Sequence, residues 1–122
     1  MLLVAALNEL DVLSGDVQNA YLTAPIREKV WIRAGEEFGV VPGCEELVGK
    51  ILIVKRALYG LQSAGAFFRA FMAQQLDTME FKSSVGDRDV WMRAAMKSDG
   101  ERYYEYILVY VDDIIAISHK AN

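Results

Sequence analysis

Two adjacent aspartates near the C-terminus, Asp112 and Asp113, are the residues of this chain best suited to chemistry. They sit in the run Tyr110-Val111-Asp112-Asp113, between apolar segments made of strand-forming residues. This pattern predicts a tight β-hairpin with two carboxylates at its tip. Carboxylates held on a rigid turn are hard oxygen ligands, which suit Mg²⁺. An ordinary turn is the alternative, because Asp is common in turns.

The apolar flanks of this hairpin favour a site over a plain turn. Residues 107–111 and 114–117 are apolar throughout, which predicts that both faces of the two strands are buried. Charges embedded there need a cation or a partner, because an unpaired buried charge is costly.

A third carboxylate, Asp16, follows Ser14-Gly15 at the end of a predicted strand. Taken alone, it is typical of a helix N-cap. Together with the hairpin it gives three carboxylates on strands far apart in the sequence, which is how two-metal phosphoryl-transfer sites are assembled. Clustered carboxylates repel one another, and bound metal ions relieve that repulsion.

The elements that must position these carboxylates follow from the hydrophobic pattern. Helices are predicted at residues 1–8 and 61–79, with a helical turn near residues 19–22. Strands are predicted at residues 11–17, 29–34, 50–57, 89–95, 103–111 and 113–118, and loops at 35–49 and 81–87. This order predicts an α+β fold: an antiparallel or mixed sheet with helices packed on one face and the acidic β-hairpin near the C-terminus.

Length and composition set the limits of the fold and of its partners. The 122 residues, 53% of them hydrophobic and 25% charged, predict one globular domain with a modest core. The single cysteine, Cys44, excludes a disulfide framework and fits a reducing compartment. A net charge of −4 argues against autonomous nucleic-acid binding, so such a function needs basic surface from outside the chain. No signal peptide or transmembrane segment is predicted.

Four short motifs occur along the chain in a definite order. They are Asp16-Val-Gln-Asn-Ala-Tyr21, Ala57-Leu-Tyr-Gly-Leu61, Asp87-x-Asp89-Val-Trp91 and Tyr110-Val-Asp-Asp113. Together they resemble the reverse transcriptase domain of copia-type LTR retrotransposons, over nearly the whole chain. The resemblance implies an RNA-directed DNA polymerase, with residues 1–122 as a single palm fragment. The N-terminal fingers part, the thumb and the ribonuclease H region of the polyprotein would lie outside it, so little activity is expected from the fragment alone.

The resemblance also implies roles for single residues. Asp16 and Asp112 match the two catalytic aspartates that bind two Mg²⁺ ions, for which Mn²⁺ can substitute, and Asp113 matches a third carboxylate that contributes charge. The backbone carbonyl of Val17 matches a further ligand of the nucleotide-bound metal. Tyr21 matches the aromatic residue that packs under the incoming sugar and excludes a 2′-hydroxyl; without the motif, its residue type favours a core position.

Nucleotide and template contacts are implied for a second group of residues, Tyr59, Gly60, Gln62, Ser63 and Tyr110. Gln62 departs from the family pattern, which has a lysine there. The resemblance therefore does not imply a phosphate contact by residue 62. A helix start with small residues for packing is the alternative for the segment around Gly60.

Several aromatic and acidic residues are interpreted as structural. Trp31, Trp91 and the helix phenylalanines Phe67, Phe68 and Phe71 are predicted to be core residues. Asp87 and Asp89 are interpreted as turn or capping residues, and Arg88 stands where the family often has proline.

The partners implied for the full-length protein are an RNA template, a DNA or tRNA primer and dNTPs, with no membrane. The implied location is a cytoplasmic virus-like particle and later the nucleus. Two alternatives stay open: an inactive or domesticated palm-like interaction module, and a palm polymerase for another template, such as a viral RNA-dependent RNA polymerase. Tyr21 in the sugar-gate position argues for deoxynucleotides.

Overall fold

The helices and strands follow the apolar pattern of the sequence in the computed structural model, which describes residues 1–120. The helices are α1 (Leu2–Leu7), α2 (Ala20–Thr23) and α3 (Ala64–Thr78), with short 3₁₀ helices at Glu36–Val40 and Glu45–Leu47. The strands are β1 (Asp11–Asp16), β2 (Trp31–Arg33), β3 (Ile51–Ile53), β4 (Lys82–Ser83), β5 (Val90–Met96), β6 (Arg102–Tyr110) and β7 (Asp113–Ser118). The predicted α+β class is confirmed.

All strand pairs within residues 1–120 are antiparallel. Five strands form one sheet in the order β1-β7-β6-β5-β4, and β2 pairs with β3 in a separate two-stranded ribbon. The first strand in the sequence therefore forms one edge of the larger sheet and lies directly beside the last strand. This arrangement brings the end of β1 next to the acidic hairpin.

The chain divides into two compact units, which are described separately. The first comprises Met1–Ala20 and Arg69–Asn122 and contains the five-stranded sheet. The second, Tyr21–Phe68, contains the ribbon and the 3₁₀ helices.

The element boundaries differ from the prediction where turns replace regular structure. The long helix begins at Ala64 rather than at residue 61, because residues 61–63 form a turn in which the Ala64 amide donates to the Leu61 carbonyl at 3.1 Å. Strand β3 is shorter than the predicted 50–57, and the predicted loop 81–87 contains the two-residue strand β4.

A small apolar cluster anchors the first unit. Ala5 on α1, Leu10 and Ile117 on β7 are buried together, and Tyr106 and Ile115 pack against them half-buried. The cluster ties α1 to the middle of the sheet. In the second unit, Phe68 is buried at 2% exposure.

The hairpin strands are less buried than predicted. Of β7 only Ile117 is fully buried, no residue of β6 is, and every residue of β1 is exposed. The edge position of β1 explains part of the difference, because an edge strand has a neighbour on one side only. The expectation of two buried faces was wrong, and the aspartates lie at a partly solvated end of the sheet.

Trp31 also departs from its predicted core position, since it is 57% exposed on β2. Trp91 on β5 is half-buried. Within the part of the chain that the structure describes, no helix has the length and apolarity to cross a membrane.

Candidate active site

A two-residue turn, Val111 and Asp112, joins β6 to β7, and the opposite pair Tyr110 and Asp113 closes it. Val111 has φ 55°. Tight hairpin turns require a positive φ, which glycine and asparagine adopt easily and a β-branched residue does not. Such a conformation stores roughly 1–3 kcal/mol of strain and persists only when the surroundings impose it. The long pairing of β6 with β7 is what imposes it here.

The pairing of β1 with β7 places Asp16 directly opposite Asp113. Residues directly opposite in an antiparallel pair point to the same face, with Cβ atoms about 4.5–5.5 Å apart. Because Tyr110 is opposite Asp113 on the other side, one row crosses three strands: Tyr110, Asp113, Asp16. The structure thus brings two of the three predicted carboxylates side by side.

Asp112 takes a different position, in the turn itself. Its backbone carbonyl accepts a hydrogen bond of 2.7 Å from the Val17 amide, just beyond the end of β1. This bond joins the turn to the segment that follows Asp16. Asp112 is half-buried, whereas Asp16 and Asp113 are exposed.

No salt bridge or side-chain hydrogen bond neutralises Asp16, Asp112 or Asp113 within residues 1–120. Among these residues, no group of three or more His, Cys, Asp or Glu side chains is arranged to hold a metal ion. The facing pair Asp16 and Asp113 still offers carboxylate oxygens, the donor type that Mg²⁺ prefers. The chemistry of this pair fits a hard divalent cation.

The second unit holds the predicted sugar-gate residue, Tyr21, on α2. Its ring centroid lies 4.7 Å from that of Tyr59 and 6.0 Å from that of Phe68. A Cβ added at Gly65 would lie 3.7 Å from the Tyr21 hydroxyl. Tyr21 is half-buried beside the rings of Tyr59 and Phe68. Gly65, which has no side chain, lies near its hydroxyl.

The other predicted nucleotide and template residues of this unit lie in the turn before α3. Gly60 has φ +94°, which is left-handed backbone that favours glycine. Tyr59 is 56% exposed, and Gln62 is exposed. The Ser63 hydroxyl donates to the Glu28 carboxylate, so that position already has a partner within the chain. In the first unit, Tyr110 is 69% exposed.

A polar network on the sheet was missed by the sequence reasoning. Arg93 on β5 lies opposite Glu105 on β6 and donates to its carboxylate through Nε and a terminal nitrogen at 2.9 and 2.5 Å. The Ser118 hydroxyl donates to the same carboxylate at 2.7 Å. Burial alone would raise the pKa of Glu105, but the hydrogen bonds from Ser118 and Arg93 outweigh it and lower the pKa. Opposite charges on separate strands show their pairing only when the register is known.

Hydrogen bonds and an ion pair in the loop before β5 confirm the structural interpretation of the Asp87-x-Asp89 motif. The Asp89 amide donates to the Asp87 carboxylate at 2.9 Å, as in an Asx turn. Arg69 on α3 forms an ion pair with Asp89 and donates to the Arg88 carbonyl at 3.0 Å. These residues hold the loop before β5.

The model of the reverse transcriptase (RNA-dependent DNA polymerase) family matches residues 1–122. Comparisons with curated proteins and with solved structures give no match.

Proposed function

The chain belongs to the reverse transcriptase (RNA-dependent DNA polymerase) family, and from this premise we propose that it is the catalytic palm of a copia-type retrotransposon polymerase. Family membership indicates nucleotidyltransferase chemistry, and reverse transcriptases generally use divalent metals. The proposed reaction is attack of a primer 3′-hydroxyl on the α-phosphate of a dNTP, directed by an RNA template, with pyrophosphate as the leaving group.

The observation that carries the proposal is the pairing of Asp16 with Asp113 across β1 and β7. These two carboxylates and that of Asp112 would hold the divalent cations, with the Val17 carbonyl as a further oxygen ligand. When bound, two Mg²⁺ ions supply positive charge that activates the attacking oxygen and stabilises the leaving group. The protein fixes the carboxylates at the ends of paired strands, which keeps their positions rigid.

Nucleotide selection is proposed for the aromatic group of the second unit. Tyr21 packs against Tyr59 with centroids 4.7 Å apart, so its ring has a restricted set of orientations. A fixed ring in this position would exclude a ribose 2′-hydroxyl by steric overlap. Gly60, Gln62 and Ser63 are proposed as neighbours of the nascent base pair and template, and Tyr110 as a further nucleotide- or template-binding residue.

Metal titration tests the carboxylate site independently of turnover. Calorimetric titration of the full chain with Mg²⁺ and with Mn²⁺ is expected to show binding that Asp16→Asn and Asp113→Asn each weaken at least tenfold. Asp11→Asn is the matched control, because Asp11 lies on the same strand at its opposite end, facing Ser118. Equal metal binding by wild type and both site variants would refute the assignment.

Primer extension on an RNA template tests the activity of the chain by itself. We expect little synthesis, because the net charge of −4 opposes binding of a polyanionic duplex. Robust Mg²⁺-dependent synthesis by residues 1–122 would contradict this expectation and would strengthen the polymerase assignment.

The second candidate function is a palm-like interaction module without turnover. The observation that favours it is that, within residues 1–120, no three His, Cys, Asp or Glu side chains are arranged to hold a metal ion. It predicts no metal-dependent difference between wild type and Asp16→Asn, so the same titration separates the two candidates.

A further inference from the structure

The ribbon formed by β2 and β3 has one inward and one outward face. Ile32 and Leu52 are half-buried on the inward face, and the buried residues Ala34 and Val54 continue it. The outward face carries the alternate positions, which are all exposed: Trp31, Arg33, Ile51 and Ile53. We call these four residues the ribbon face.

Three of the four side chains of the ribbon face are apolar, and the fourth, Arg33, donates to the Gly49 carbonyl at 3.2 Å. Trp31, Ile51 and Ile53 are 57%, 61% and 48% exposed. Hydrogen bonds of 2.9 Å extend the ladder beyond the strands, from the Val54 amide to the Val30 carbonyl and from the Ala34 amide to the Lys50 carbonyl. Contiguous exposed apolar side chains of this kind can mark a protein–protein contact surface.

Charges of opposite sign lie at the two ends of the ribbon. Lys29 and Lys55 continue the outward register at the end away from the connecting loop. Both 3₁₀ helices of that loop begin with two exposed glutamates, which are Glu36, Glu37, Glu45 and Glu46. Arg33 and Lys50 also lie at the loop end, which stays net acidic because four glutamates outnumber two cations. Within the described residues, neither the two lysines nor the four glutamates form a salt bridge.

We propose that the ribbon face is a self-association surface that binds the ribbon face of a second copy of this chain. In a two-fold pair with the ribbons antiparallel, Trp31 and the two isoleucines of each copy pack on those of the other. The same arrangement places the lysine end of each ribbon against the glutamate end of its partner. Such a contact is closed and self-complementary, and it goes beyond the proposed polymerase function.

A single-stranded nucleic acid is the competing occupant, because an aromatic side chain flanked by cations can stack on bases and contact phosphates. The observations favour the second copy over it. Four glutamates at one end of the ribbon would repel phosphates, whereas they complement the lysines of another ribbon. Burial of Ile51 and Ile53 against apolar side chains is favourable, and neither side chain can form a hydrogen bond with a nucleotide.

The size of the ribbon face sets the expected affinity. A standard stable interface buries about 800 Å² per partner, which is more than four residues on two short strands provide. We therefore expect a reversible dimer with a dissociation constant in the micromolar range, at about 10–100 µM.

Sedimentation equilibrium of the full chain from 5 to 500 µM, as approximate loading concentrations, tests the proposal. Wild type is expected to shift from monomer to dimer across this range, and Trp31→Glu to remain monomeric, with self-association weakened at least tenfold. Val85→Glu is the matched control, because Val85 is fully exposed but belongs to the first unit, outside both the ribbon face and the acidic loop. Circular dichroism of each variant shows that it is folded. A monomeric wild type, or a dimer that Trp31→Glu leaves intact, overturns the proposal.

Charge-swapped variants test the antiparallel geometry. Lys29→Glu/Lys55→Glu makes both ends of the ribbon acidic, and Glu45→Lys/Glu46→Lys gives both ends basic charge. Each variant alone is expected to associate more weakly than wild type, and an equimolar mixture is expected to form heterodimers. A mixture that associates no better than its components contradicts this pairing of the ends. If wild type stays monomeric and binds a labelled single-stranded oligonucleotide through Trp31, the nucleic-acid alternative replaces the proposal.

Discussion

Replacement of Asp16 by asparagine is expected to stabilise the fold while it removes a proposed metal ligand. Asp16 and Asp113 are directly opposite on β1 and β7, with Cβ atoms about 5 Å apart. Two unit charges about 6 Å apart in water repel by about 0.7 kcal/mol. Salt at 0.15 M, with a Debye length of about 8 Å, reduces this to about 0.3 kcal/mol. Asp16→Asn should therefore raise the free energy of unfolding by about 0.3–0.7 kcal/mol.

Urea unfolding measures this gain as an increase of about 0.2–0.5 M in the midpoint, for a slope near 1.5 kcal/mol/M. The gain should nearly vanish in 1 M NaCl, where the Debye length is about 3 Å. Asp11→Asn is the control without a facing carboxylate, since Asp11 lies opposite Ser118. A loss of about 1 kcal/mol or more on Asp16→Asn would refute the repulsion and would indicate the capping role that Asp can fill in other contexts.

Three further substitutions test the turns and the polar network. Val111→Asn should raise the free energy of unfolding by about 0.5–1 kcal/mol, because asparagine tolerates the φ of 55° at this exposed turn. An unchanged urea midpoint would show that the turn is not strained. Glu105→Gln should lower the free energy of unfolding by about 1–3 kcal/mol at pH 7, because it weakens the charge-assisted hydrogen bonds from Arg93 and Ser118. Folding lowers the pKa of Glu105 from its usual value of 4.5. Its charge therefore stabilises the fold above pH 4.5, and this contribution is lost as the pH falls through the folded pKa. The difference in the free energy of unfolding between variant and wild type should shrink when urea unfolding is repeated at acid pH. Gly60→Ala should lower the free energy of unfolding by about 1 kcal/mol, because the φ of +94° at this position is unfavourable for alanine. Gly15→Ala is the control and should be tolerated, since a Cβ at either glycine has open space but Gly15 has no positive φ.

The hairpin and most elements could be predicted from the sequence because they depend on local pattern. Alternating and continuous apolar runs located the strands, and the Val111-Asp112 turn follows from its place between two of them. The exposure of Trp31 could not be predicted in this way. Among residues 1–120, strands β2 and β3 pair only with each other, and the side of this ribbon that carries Trp31 is exposed.

Contacts between distant segments were beyond the sequence reasoning for a different reason. Arg93 and Glu105 form a pair only because β5 and β6 align in one register, and a slip of one residue would place the two side chains on opposite faces. Nothing in the local pattern of either strand specifies that alignment.

The same dependence on register decides which aspartate faces Asp16. The motif resemblance assigns the main metal-binding role to Asp112, whereas the observed pairing sets Asp113 opposite Asp16 and leaves Asp112 in the turn. The bond from the Val17 amide to the Asp112 carbonyl fixes the backbone of Asp112. Within residues 1–120, the carboxylate of Asp112 forms no salt bridge. If the carboxylates of Asp16 and Asp113 together hold the cation, Asp113→Asn should weaken metal binding more than Asp112→Asn. If Asp112 is the main ligand, the order reverses, and its side chain must then reach from the turn toward Asp16.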